Sequence, residues 1–317
     1  MTVTMEEALG ALQGPQSKLT RVLLADLSDL SAEEVVDFKS VWADTSDDNR
    51  VTAVKYFVEM AEDNVELDFE AIFRVALEDD SDEVRLGAIT GLWESEDRTL
   101  IRSLLRALRD DPAETVRAAA AQALSRFALM AEMGKLRNRD FHDIGDTLVE
   151  AIDDEFESVE VRRRAIESLA SMRHPRVPEL IDLAYESEDN KVQASALYAM
   201  GRTCDVAWMP TLIGELDNDD AEMRYEAAAA LGELGEDDAV EFLLPLMGDG
   251  DAQVQAAAIM SVGRIGGVAA KNALRLARKG ADERVDTLVS AALEAVEFDE
   301  DPLSVDLLNQ RPQTNQN

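Results

Sequence analysis

The 317-residue chain carries 31 Lys plus Arg against 66 Asp plus Glu, a formal net charge of −35. A chain this acidic repels the phosphate backbone, which excludes duplex nucleic acid as a partner, and no run of about 20 apolar residues could span a membrane. One cysteine, Cys204, and two histidines, His142 and His174, leave no disulfide, no zinc cluster and little imidazole for acid–base work. Yet 46% of the residues are hydrophobic, so the chain folds and is not an acidic tail. The first residues have neither a basic n-region nor an apolar h-region, and a cytoplasmic protein is expected. No catalytic residue, metal site or cofactor is assigned from this composition.

Residues 1 to 30 read as a capping segment, with Leu19, Val22, Leu23 and Leu27 on one face of a short helix. From residue 31 a unit of two helices, A then B, recurs. The B helices open at Asn49-Arg50, Val84-Arg85, Val116-Arg117, Val161-Arg162, Val192-Gln193, Met223-Arg224, Val254-Gln255 and Val285-Asp286. Successive Arg positions are 35, 32, 45, 31, 31, 31 and 31 residues apart, which gives eight repeats. Apolar residues follow at fourth and eighth positions, as with Ala88 and Leu92, one face of a 3.6-period helix. Acidic turns such as Asp79-Asp80, Asp110-Asp111 and Asp249-Gly250-Asp251 precede the B helices and read as N-caps rather than calcium loops.

The A helices carry their own stripe, as in Leu100, Ile101, Leu104, Leu105 and Leu108. Pro178 and Pro210 fall near A-helix starts, and Pro245 should kink its helix. Gly201, Gly232 and Gly263 are expected to close B helices. The 45-residue spacing implies an insertion near 128–143 that carries Lys135, Arg137 and Arg139. Residues 298–317 form a polar tail expected to be disordered.

The stretch from Asp217 to Gly267 resembles tandem HEAT repeats of the short type named after phycobilisome lyases. Asp79/Arg85 and Asp111/Arg117 match the six-residue Asp-to-Arg spacing of that family, whereas Asn218/Arg224 keeps only the Arg, Asp249/Gln255 only the Asp, and Ser187/Gln193 neither. The resemblance covers about residues 31–297. It implies an all-α solenoid of eight HEAT-like helix-pair repeats, a right-handed superhelix with the B helices on its concave side. Because the namesake family includes lyases and isomerases that attach bilins to phycobiliproteins, it also implies an alternative function, as a bilin lyase or isomerase subunit or accessory factor.

On a B helix with the apolar stripe turned inward, the residues one and five after the Arg position point away from the core. Only three of these 16 residues, Lys55, Arg163 and Glu167, are charged, against 31% of the whole chain. Crowding on an inner curve accounts for the alanines in the set, but not for its larger uncharged members. The candidate partner site on this groove is therefore Leu86, Thr90, Arg163, Tyr198, Tyr225 and Met260, with the basic insertion Lys135, Arg137 and Arg139 as the alternative. Arg98, Arg102, Arg106 and Arg109 form a further basic stripe on an A helix.

Charge is uneven: residues 1–97 are net −17, 98–176 net zero and 177–317 net −18. Arg outnumbers Lys 24 to 7, a balance that high-salt adaptation would also produce. The sequence reads as a non-catalytic scaffold whose partner is a protein or peptide of basic character.

Overall fold

The computed structural model describes residues 4–300, with side chains through residue 297. All regular structure among them is helical, and it divides into two units, residues 1–172 and 173–317.

The first unit opens with α1 (Met5–Leu12), capped by a reciprocal Thr4/Glu7 pair, and α2 (Arg21–Leu24), which passes into a 3-10 turn over Ala25–Leu27. The tighter winding places Leu24 and Leu27 on one side, and both are fully buried. Val22, expected on the buried face, points into solvent instead. The amide of Asn49 donates to the carbonyl oxygens of Leu12 (2.7 Å) and Gly14 (2.9 Å), tying this segment to the first B helix.

Four helix pairs follow: α3 (Ala32–Ala43) with α4 (Asp47–Asp63), α5 (Glu70–Ala76) with α6 (Asp82–Gly91), α7 (Leu100–Asp110) with α8 (Glu114–Glu132), and α9 (Asn138–Asp153) with α10 (Val159–Leu169). The second unit holds four more: α11 (Val177–Tyr185) with α12 (Asn190–Arg202), α13 (Met209–Glu215) with α14 (Ala221–Leu234), α15 (Ala239–Leu243) with α16 (Ala252–Ile265), and α17 (Gly267–Ala277) with α18 (Glu283–Glu300). As the prolines require, Pro178 and Pro210 sit in the first turns of α11 and α13, and Pro245 stops α15 and opens a 3-10 turn to Gly248. B helices stack on B helices: α4, α6, α8 and α10 in one unit, α12, α14, α16 and α18 in the other. The extra residues near 128–143 form only a short connection at 133–137; the rest lengthen α8 to 19 residues and α9 to 16. Of the tail, α18 runs to Glu300 and the remainder lies outside the described residues.

The acidic turns do two jobs. Asp189, Asp220 and Asp251 cap α12, α14 and α16, accepting backbone N–H bonds at 2.8–2.9 Å. The other acidic residue of the turn serves the repeat before it. Arg85 donates through Nε and Nη2 to both oxygens of Asp111 (2.7 and 2.8 Å), while its Nη1 reaches the Asp79 carbonyl of its own turn (2.8 Å). Arg117 holds Glu157 in the same way (2.7 and 2.8 Å), Arg224 holds Asp249 (2.9 and 3.0 Å), and Arg50 pairs with Asp79 at 3.0 Å. Gln193 and Gln255 donate to a carbonyl of their own A segment, Tyr185 (3.1 Å) and Met247 (2.8 Å), and the Gln255 side-chain oxygen accepts from Arg284 of the next repeat.

Gly201, Gly232 and Gly263 are not helix caps. They lie inside α12, α14 and α16, where the next B helix comes too close for a side chain: a Cβ on Gly201 would stand 2.7 Å from the Ala230 Cα. Gly235 (φ 72°, ψ 17°) caps α14 in the left-handed region, and Gly266 ends α16 with a positive φ (73°) but an extended ψ (−159°). Cys204 ends α12 in the same left-handed region (φ 51°), with its N–H bonded to the Gly201 carbonyl.

Two stability measurements follow. Burial opposes ionisation of Asp111, but the Arg85 guanidinium and the Ala113 N–H outweigh it and hold the carboxyl below the usual range. Its contribution is therefore complete above the unfolded-state pKa and disappears as pH falls through the folded value. Both side chains are nearly buried, so Asp111→Asn is expected to cost about 2–3 kcal/mol in urea unfolding at pH 7, with the deficit shrinking only as pH falls below the ordinary aspartate range and through the lowered folded value. Gly201→Ala should destabilise by about 1–3 kcal/mol, whereas Gly214→Ala, with no heavy atom within 4 Å of its Cβ, should stabilise by up to about 1 kcal/mol.

Candidate docking surface

Unit two carries the uncharged face. Tyr198 on α12, Tyr225 on α14 and Met260 on α16 lie on successive stacked B helices, 41%, 37% and 45% exposed. Large side chains this open on adjacent helices present apolar surface to solvent. Ala229, Ala256, Thr287 and Ala291 fill the neighbouring outward positions. All eight outward positions of unit two are uncharged, and the three charged ones belong to unit one.

The outward rows are not equivalent. Ala194 and Ala118, one residue after the Arg position, are buried at 2% and 8% exposure. A helical wheel places them opposite the A helix, but each B helix also packs against another B helix, and that contact extends burial around the cylinder. The row five after the Arg position is the open one: Tyr198, Met260 and Ala291 are exposed, as are Lys55, Thr90 and Gln122 in unit one.

The other expected contacts lie in unit one. Leu86 is half-buried on α6, and the Thr90 hydroxyl is spent on the Leu86 carbonyl (3.0 Å). Arg163 is half-buried on α10 and folds back on Glu160 at 2.8 Å. Lys135, Arg137 and Arg139 are exposed at the junction of α8 and α9, where Arg139 pairs with Asp143 at 3.3 Å.

His142 Nδ1 sits 2.6 Å from the Asn138 carbonyl, His174 Nδ1 accepts from the Arg176 N–H, and among the described residues no cluster of His, Cys, Asp or Glu could hold a metal. Burial and a hydrogen bond to the Glu215 carboxylate push the Tyr185 phenol up to about 12, so it stays neutral and ties α11 to α13. No helix of the described residues is long and apolar enough to cross a membrane.

A paired-helix stack with an inter-repeat Arg–carboxylate bond defines a repeat solenoid. The HEAT-repeat model matches residues 69–133, 145–214 and 209–296, and the chain belongs to the HEAT-repeat family. No curated protein matches the chain. Among solved structures it is similar to importin beta in an ammonium sulfate condition, at 12% identity and a TM-score of 0.51 over 95% of this chain and 47% of that one. An engineered protein matches at 22% identity and TM-score 0.41, covering 62% of this chain and 96% of that one. A designed armadillo repeat protein in complex with peptide (KR)4 matches at 20% identity and TM-score 0.40, covering 64% and 100%. At these identities the likeness is one of fold.

The sequence reading missed one thing that bears on docking: it gave both outward rows equal weight. Since Tyr198 and Tyr225 stand at the surface, Tyr198→Ala with Tyr225→Ala should leave the urea midpoint within about 1 kcal/mol of wild type.

Proposed function

We propose that the chain is a non-catalytic docking scaffold, and that the B face of unit two holds a protein or peptide partner of basic character. The observation that carries this is the contrast between that face and its surroundings. All eight outward B positions of unit two are uncharged, although residues 173–317 hold 12 basic and 28 acidic side chains, net −16. Exposed aromatic and Met side chains within a charged rim have the composition of an interface core. The acidic surround steers a basic partner and raises its on-rate, an effect that weakens with salt. Leu86, Thr90 and Arg163 belong to the reading as secondary contacts. The setting is cytoplasmic, and neither duplex nucleic acid nor membrane is a partner. The alternative of bilin attachment draws on no specific feature of either unit.

The test begins with a pull-down from the native cell and measures surface-plasmon kinetics against the partner it yields. Tyr198→Ala with Tyr225→Ala should raise the off-rate by about 30-fold or more, since buried aromatic anchors commonly contribute about 2 kcal/mol each. Charge reversal at Asp217 and Asp219, both exposed and neither a cap, should change mainly the on-rate and its salt dependence. If the tyrosine variant binds like wild type while Arg137→Ala with Arg139→Ala abolishes binding, the site is the α8–α9 junction and the reading fails.

A further inference from the structure

The arginines of α7 (Arg102, Arg106 and Arg109), Arg98 in the turn before that helix rather than on it, and the basic start of α9 are not separate features. They wall one cleft of about 670 Å³, lined by Arg98, Arg102, Arg106, Arg109, Arg137 and Arg139, all exposed. Ile101 and Leu105 are buried yet form part of its lining between the arginines. Asp110, Asp140 and Asp143 also border it. Arg106 pairs with Glu78, Arg109 with Glu150 at 3.0 Å and Arg139 with Asp143 at 3.3 Å, and Asp140 accepts the Arg137 backbone N–H at 3.4 Å. The guanidinium groups of Arg98, Arg102 and Arg137 take no hydrogen-bond or ion-pair partner among the described residues.

Guanidinium cannot shed its charge, and like charges at helical i,i+4 spacing repel. A chain with 66 acidic side chains nonetheless leaves three of these six arginines without a counter-ion. We propose that this cleft is a second docking site, for a short acidic peptide segment with apolar residues between its carboxylates. Each guanidinium offers a two-pronged fork that matches a carboxylate, and Ile101 and Leu105 offer apolar floor between the forks. From Arg102 to Arg109 the row is about 10 Å long at 1.5 Å per residue, and Arg98 extends it from the preceding turn, the reach of a few carboxylates. A peptide ends within that length. A longer nucleic-acid strand runs past it toward the rest of unit one, where residues 1–97 are net −17. The site is independent of the tyrosine face.

Fluorescence anisotropy of a labelled Glu-Glu-Leu-Glu-Glu-Leu-Glu-Glu peptide on the full chain tests this. The ionic strength should be about 0.15 M, where screening limits distant repulsion to about 8 Å. Saturable binding is expected, with the Gln-for-Glu peptide at least about tenfold weaker. Arg98→Ala with Arg102→Ala and Arg137→Ala should weaken binding by about tenfold or more at unchanged circular dichroism, the triple Lys variant should fall between, and Tyr198→Ala with Tyr225→Ala should bind as wild type. The proposal is overturned by absence of saturable binding, by equal binding of the Gln peptide, by a triple Ala or Lys variant of unchanged affinity, or by tighter binding of an eight-residue thymidine oligonucleotide, which makes the cleft a nucleic-acid site.

Discussion

The stack depends on a guanidinium that answers to two repeats at once. Arg85, Arg117 and Arg224 each satisfy free carbonyl groups in the turn of their own repeat and grip a carboxylate in the turn of the next. That carboxylate in turn accepts a backbone N–H two residues further on, at Ala113 for Asp111 and Asp251 for Asp249. One side chain thus fixes the shape of a turn and the offset between neighbouring pairs. Such a bond is of most value where it is shielded, and Asp111 and Glu157 are only 8% and 10% exposed.

Apolar packing then sets how close the B helices come. Gly201, Gly232 and Gly263 oppose Ala230, Ser261 and Ala292, so successive B helices of unit two meet nearly backbone to backbone. This closeness explains why the residue one after the Arg position is buried at Ala194 and why its fifth-position partner, Tyr198, is left as the open side chain of the same helix. Tight packing thus accounts for the small residues of the uncharged surface, from which the larger Tyr198, Tyr225 and Met260 project.

Much of the architecture was legible because the same turn is built again and again: an Arg or Gln that binds carbonyls at the end of the A segment recurs in seven of the eight repeats, with Asp286 in the eighth, and its period can be counted. The partner of that Arg was not legible. A six-residue Asp-to-Arg spacing suggests a pair within one repeat, yet the carboxylate lies 26 residues ahead for Arg85 and 40 for Arg117. Gly201 was misread because a glycine near a helix end looks alike whether it turns the chain or admits a neighbour. Ala118 and Ala194 were misplaced because a wheel describes one helix against one partner. Arg98 to Arg109 and Arg137 to Arg139 read as two features because only packing of α7 on α9 brings them to one cleft.

A double-mutant cycle at Arg224 and Asp249 tests most directly whether the inter-repeat bond holds the layer that presents the tyrosine face. Arg224→Met, Asp249→Asn and the pair are compared with wild type by urea unfolding at pH 7. A coupling energy of about 1 kcal/mol or more is predicted for two charged groups in bidentate contact at 18% and 12% exposure. Effects that add to within about 0.3 kcal/mol would contradict the account, since they would leave the stack resting on apolar contact alone.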